Sequence, residues 1–219
     1  MPQIFRPGAN TLLRIALVAV FVVIPFLAAG LGMALIRSNY ATGVGMPPAQ
    51  PVPFSHKHHV GGLGLDCRYC HTGVETSPVA GVPPTETCMT CHSQLWTNAQ
   101  MLAPVRESLA KQTPLRWQKV HNLPGYVYFD HSIHIAKGVG CTTCHGQVDQ
   151  MPLIHQTAPL TMQWCLSCHR EPERHLRPAD KIFATDWKPP ADQLELGRRL
   201  LDTYHIDKGH LTDCSVCHR

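Results

Sequence analysis

The pattern Cys-x-x-Cys-His occurs five times in the 219-residue chain, at CRYCH 67–71, CMTCH 88–92, CTTCH 141–145, CLSCH 165–169 and CSVCH 214–218, and it uses all 10 cysteines. Two thiols at this spacing can add across the vinyl groups of a haem, and the histidine that follows is carried under the iron as one axial ligand. The motifs therefore predict five covalent c-type haems, held by Cys67, Cys70 and His71, by Cys88, Cys91 and His92, by Cys141, Cys144 and His145, by Cys165, Cys168 and His169, and by Cys214, Cys217 and His218.

An iron held by one histidine needs a second axial ligand, and the spacing of other histidines offers it. His56 stands 11 residues before Cys67, His131 stands 10 before Cys141, and His205 stands 9 before Cys214, a repeat of about 74 residues. Within it, Phe54-x-His56-x-x-His59 corresponds to Phe129-x-His131-x-x-His134, and each copy precedes two motifs. Side chains at i and i+3 share a helix face, so the pair can serve two irons only if the haems are adjacent. His56 and His131 are assigned to the haem of the motif that follows each, and His59 and His134 to neighbouring haems. The third copy is truncated: Tyr204 and His205 are contiguous and the next histidine is His210, so the fifth distal ligand is His205 with His210, Met151 or Met162 as alternatives. A methionine ligand would raise that haem's potential. His58, His121, His155 and His175 have no repeat partner and read as surface or structural histidines.

Two other uses of the cysteines fit less well. Cys70 and Cys88 enclose 17 residues and Cys144 and Cys165 enclose 20, which suits a zinc ribbon. Neither zinc nor disulfides would need a histidine after every pair, an arrangement that chance supplies on the order of once in a million.

The elements that must carry these groups are few. Ile15 to Ile36 is an uncharged apolar run of 22 residues, long enough to cross a bilayer, with Pro25 a possible kink. The span is placed at 15–37 after a cytoplasmic N-terminus at 1–14. Arg6 and Arg14 before it and Arg37 after it lean towards a cytoplasmic N-terminus. Leu27-Ala28-Ala29-Gly30 resembles a signal-peptide processing site, but the apolar run continues past it. A linker at 38–53 leads to a haem domain at 54–219, divided into repeat 1 at 54–97, a connecting segment at 98–126, repeat 2 at 127–175 and a partial repeat at 191–219. About 180 residues for five haems leaves roughly 36 for each, so the haems themselves are expected to fill the interior. The expected fold class is a haem-organised multihaem cytochrome c, mostly coil with short α-helices and almost no sheet, plus one N-terminal transmembrane helix. Short helices should carry the motifs, with further helices over 98–112, interrupted by Pro104, and over 191–204. Trp96, Trp117, Trp164 and Trp187 read as packing groups.

The net charge of +4 comes without a Lys/Arg run of the length nucleic acid would need, so nucleic acid is set aside as a partner. Five haems with their propionates would bring the total to about −1 oxidised and about −6 reduced.

The apolar anchor, PFSHKHHVGGLGLDCRYCH, PPTETCMTCH, LPGYVYFDHSIHIAKGVGC and PLTMQWCLSCH, with five motifs, resemble the membrane-anchored pentahaem cytochrome c subunit of alternative complex III. The Phe-x-His-x-x-His segments also resemble those of class III and triheme cytochromes c, where they supply distal ligands. The resemblance implies a quinol-oxidising membrane complex in which an iron-sulfur subunit and polytopic quinone-binding subunits surround the chain. A monohaem cytochrome c or terminal oxidase would accept the electrons, and the haem domain would lie on the periplasmic side of the bacterial cytoplasmic membrane. On this reading the chain is an electron-transfer subunit of an oxidoreductase rather than a catalyst by itself. A stand-alone anchored quinol dehydrogenase is the first alternative, though one helix gives little room for a quinone. A haem enzyme of the nitrite reductase type is the second; it needs an open iron, whereas all five motifs end in histidine.

Overall fold

The computed structural model describes residue 6 and residues 8–218. Part of the expected N-terminal segment 1–14 therefore lies outside the described residues. The chain divides into two units, the first ending at Gly43 and the second beginning at Val44.

The first unit is dominated by α1, Ala9–Ile36, 28 residues long and apolar enough to cross a membrane. At 1.5 Å per residue it measures about 42 Å, more than a hydrocarbon core requires. Its side chains are exposed, Phe21 at 71% and Phe26 at 76%. Pro25 has no N–H and its ring crowds the carbonyl four residues earlier. The ladder responds just upstream, where Ala19–Val23 widens to a π-turn and the Ile24 amide reaches back to the Ala19 carbonyl. After Arg37 the chain makes one more helical turn, α2, Asn39–Thr42, capped by the Ser38 hydroxyl and ended at Gly43 with φ 72°.

The second unit is a set of short helices joined by coil. They are α3 (Cys67–Cys70), α4 (Thr85–His92), α5 (Ala103–Lys111), α6 (His131–Ala136), α7 (Cys141–His145), α8 (Met162–Arg170), α9 (Gln193–Thr203) and α10 (Cys214–Cys217), with a π-turn at Lys57–Gly62. Every Cys-x-x-Cys-His motif has both cysteines on one of these helices. One turn puts the residues at i and i+3 on the same side, so each pair of thiols presents a single edge. No strand occurs among the described residues, only isolated bridges pairing Val44 with Gln156, Val127 with His218 and Val139 with Leu176.

Pro104 does not interrupt its helix. It lies in the first turn of α5, where the amide it lacks would be unpaired in any case, and it starts the helix after a 3₁₀ turn at Gln100–Leu102. α5 buries Val105 against Leu102 and Val52, with Cys88, Met89, Ala99, Leu115 and Trp117 around them. A hydrogen bond of 2.6 Å between the Thr85 and Ser108 hydroxyls fastens α4 to α5. Trp117 thus packs as expected, whereas Trp96 is 66% exposed. α9 lies on the 3₁₀ turn Pro172–Arg174, and Gly197 is obligatory there because a Cβ would collide with the Glu173 carbonyl. This apolar core is small for a unit of this length: Leu176, at 1% exposed, is its most enclosed large side chain.

Candidate functional site

The histidines of the two complete repeats are held the same way. The Phe54 ring stacks on His59 with centroids 4.3 Å apart, and its edge meets His56 at 4.9 Å. Phe129 stacks on His134 at 4.4 Å and meets His131 edge-on at 4.8 Å. Each second histidine turns its Nδ1 back to the carbonyl four residues earlier, His59 to Ser55 at 2.8 Å and His134 to Asp130 at 2.7 Å. The aromatic ring and the local helix together therefore aim both imidazoles.

Four motif histidines also set Nδ1 against a backbone carbonyl. Nδ1 of His71 lies 2.7 Å from the Gly81 carbonyl, that of His92 3.1 Å from Leu95, and that of His169 2.7 Å from Leu211. Nδ1 of His218 lies 3.3 Å from the Tyr126 carbonyl, while His131 reaches across to Pro78 at 2.8 Å. A carbonyl oxygen only accepts, so Nδ1 carries the proton in each and Nε2 keeps the lone pair that could bind a metal.

Three pairs of histidine rings stand at nearly one spacing, with planes inclined by 64°, 45° and 10°. His59 and His92 have centroids 6.1 Å apart, His134 and His169 6.2 Å, and His131 and His145 6.3 Å, the last pair within 10° of parallel. One metal ion between two opposed imidazoles, with bonds of about 2 Å, separates the ring centroids by about 6 Å. Each pair joins an upstream histidine to a motif histidine, so this donor set fits an iron ligated axially on both sides. Among the described residues no group of three or more His, Cys, Asp or Glu converges on a metal position. The protein donors available are thus pairs, which suits a macrocycle that supplies the equatorial nitrogens.

Burial favours the neutral form of the most enclosed of these imidazoles, His145, His134 and His56. Burial first, then neighbouring His121, His131, His71 and His56, pulls His145 down to about 3. Burial and the nearby His71 and His59 lower His56 to about 4. The Nδ1 of His56 is buried without a partner. Among the thiols, burial raises Cys70, Cys88, Cys165 and Cys168, and pushes Cys144 up to about 12. The Cys67 and Cys141 thiols perturb each other, lowering the first and raising the second, so the first and third motifs are neighbours.

The fifth motif is arranged differently. The His218 ring stands 5.8 Å from Tyr126, and its helix is tied to the segment before α6 by the Tyr128 amide on the Cys217 carbonyl at 2.9 Å. His205 is exposed, in the left-handed region at φ 50°, and His210 is exposed and paired with Asp213 at 2.9 Å. Met151 is buried at 6%, while Met162 at the start of α8 is 63% exposed.

His121, which the sequence leaves as a surface or structural histidine, meets His145 edge-on at 4.2 Å, with Nε2 buried and unpartnered. Burial first, then His131 and His155, lowers it to about 4. Nothing in the repeat marks it, because repeat 1 has no counterpart.

No family model matches the chain. It is 35% identical over 97 residues to the multiheme cytochrome c subunit of menaquinone reductase from Nitratidesulfovibrio vulgaris (strain Hildenborough), a match that takes in 44% of this chain and 45% of that protein. The chain thus spans about half the length of the curated relative it matches. Short helices joined by coil, without strands among the described residues and with one N-terminal apolar helix, make this the fold of a multihaem cytochrome c.

Proposed function

We propose that the chain carries five covalent c-type haems and conducts electrons within a membrane quinol-oxidising complex of the alternative complex III type. Cys67 and Cys70, Cys88 and Cys91, Cys141 and Cys144, Cys165 and Cys168, and Cys214 and Cys217 are the attachment pairs. The histidine pairs that would hold the irons are His71 with His56, His92 with His59, His145 with His131, and His169 with His134. His218 is the fifth motif ligand, with His205 as its partner and His210, Met151 or Met162 as alternatives. Bound haem supplies one-electron redox chemistry. The chain's part is to fix the tautomer of His59, His71, His92, His131, His134, His169 and His218 through the carbonyls that accept from their Nδ1, and so to leave Nε2 free for the iron. The observation that carries this reading is the set of three histidine pairs at 6.1, 6.2 and 6.3 Å.

In this reading α1 anchors the chain in the bacterial cytoplasmic membrane and the haem domain faces the periplasm. An iron-sulfur subunit and polytopic quinone-binding subunits surround it, and a monohaem cytochrome c or terminal oxidase takes the electrons. The test has two parts. The denatured chain should carry five covalent haem masses, and fewer than five would overturn the count. In the intact complex, a quinol analogue should reduce the haems before any other donor is added.

A second reading reverses the direction, and the relative's printed name favours it: that protein belongs to a menaquinone reductase. Here the haems would collect electrons from a periplasmic donor and pass them to a quinone. Pre-reduced complex whose haems are reoxidised by added quinone, and which quinol fails to reduce, would select it.

A further inference from the structure

Arg177 is buried to 6% exposure with no carboxylate against it among the described residues. Its guanidinium donates to the Thr142 hydroxyl at 2.6 Å, to the Thr143 hydroxyl at 3.2 Å and to the Ala184 carbonyl at 3.3 Å. Thr142 and Thr143 are the two residues between Cys141 and Cys144. The flat guanidinium also lies on Gly140, immediately before Cys141, where a Cβ would collide with it. The arginine is locked from both sides: its amide donates to the Gly138 carbonyl at 2.8 Å, and its own carbonyl accepts the Tyr204 hydroxyl at 2.8 Å.

Burying a cation without a counter-ion is costly, and a guanidinium keeps its charge where a lysine could shed it. The two cysteines that flank Thr142 and Thr143, Cys141 and Cys144, would carry no charge as thioethers. A fixed positive charge beside a haem attached through Cys141 and Cys144 would oppose its ferric state, which is one charge more positive than the ferrous, and in a poorly solvated site that opposition would be weakly screened.

We propose that Arg177 is a charge-tuning residue that raises the reduction potential of the haem attached through Cys141 and Cys144, an inference that rests on the haem reading above. Gly140 is part of the device, since only a residue without a side chain lets the guanidinium lie flat on the motif.

The test is a potentiometric titration of the full chain in its membrane complex, with covalent haem counted by mass. Arg177→Gln should keep the wild-type haem mass and lower one couple by at least tenfold in its reduction equilibrium, about 59 mV for one electron. Arg177→Lys, which keeps the charge but loses the fork, should leave that couple within about threefold. Should Arg177→Gln not accumulate, Gly140→Ala, which displaces the guanidinium from the motif, should shift the same couple downward. Unchanged couples in Arg177→Gln, or in Gly140→Ala in its place, overturn the proposal, as does a shift in Arg177→Lys as large as in Arg177→Gln. Covalent haem missing from the wild type would instead defeat the haem reading.

Discussion

Residues 54–62 and 129–137 solve one problem with two backbones. In the first, Lys57–Gly62 is a π-turn; in the second, α6 is an α-helix. Yet Phe54 over His59 and Phe129 over His134 agree to 0.1 Å in centroid distance, 4.3 against 4.4 Å, and the two cross-motif pairs agree equally well, 6.1 against 6.2 Å. What is held constant is the ring stack and the Nδ1 bond to the residue before the first histidine. The helix type is free to vary because both routes return that carbonyl to the same imidazole.

The largest effect should come from removing the shared feature. His59→Ala and His134→Ala should each leave about one haem equivalent per chain with an open axial position, seen as a high-spin ferric signal absent from the wild type. The two variants should match in amplitude. A signal from one alone would break the equivalence of the repeats. His131→Ala should add a loss of stability to its spin change, because it also breaks the bond to Pro78 that joins the repeats.

The backbones differ for a reason that reverses the usual helix preference. Gly61 lies against the Asp149 carbonyl, where a Cβ would collide, and the Lys57 amide donates to the Met151 carbonyl at 3.0 Å. The corresponding residue in repeat 2 is Ala136, which already carries a Cβ. Gly61→Ala should therefore destabilise repeat 1 by about 1–3 kcal/mol through overpacking, although alanine is the better helix former. Ala136→Gly should cost repeat 2 only about 0.5–1 kcal/mol, the ordinary entropic penalty. Thermal unfolding of the haem-loaded chain compares them, and equal losses would mean the Asp149 contact does not shape the turn.

Much of this was readable in the residues, and where it was not the cause is physical. The Cys-x-x-Cys-His helices and the Phe-x-His-x-x-His correspondence are local patterns, set by spacing within one or two turns. The long apolar helix is likewise local. Pro104 was misread because proline is hostile inside a helix but welcome in its first turn, and the boundary decides which applies. His121 and Arg177 depend on contacts made far along the chain, His121 with His145 and Arg177 with Thr142, and no periodicity announces them. The third copy lost its register at Tyr204-His205, and with it the geometry that made the first two legible.

The smallest effect concerns the caps. Asp130 begins α6 by accepting the Ser132 amide at 2.8 Å, the Ser132 hydroxyl at 2.6 Å and the Ile133 amide at 3.4 Å. Ser55 stands in the same place in repeat 1 but accepts one amide, that of His58, at 3.3 Å, beside a 2.9 Å contact with the Nδ1 of the same residue. An N-cap satisfies donors that the helix cannot, so the cap with more and shorter bonds holds its turn more firmly. Asp130→Ala should speed amide exchange at Ser132 and Ile133 several-fold, while Ser55→Ala should alter exchange at His58 less. The Nδ1 bonds of His59 and His134 run to the backbone carbonyls of these cap residues, not to their side chains, so neither substitution should change the spin state. A spin change in Asp130→Ala alone would show that the α-helical repeat aims its imidazoles through its cap, and that the likeness of the two ring stacks conceals two different ways of holding them.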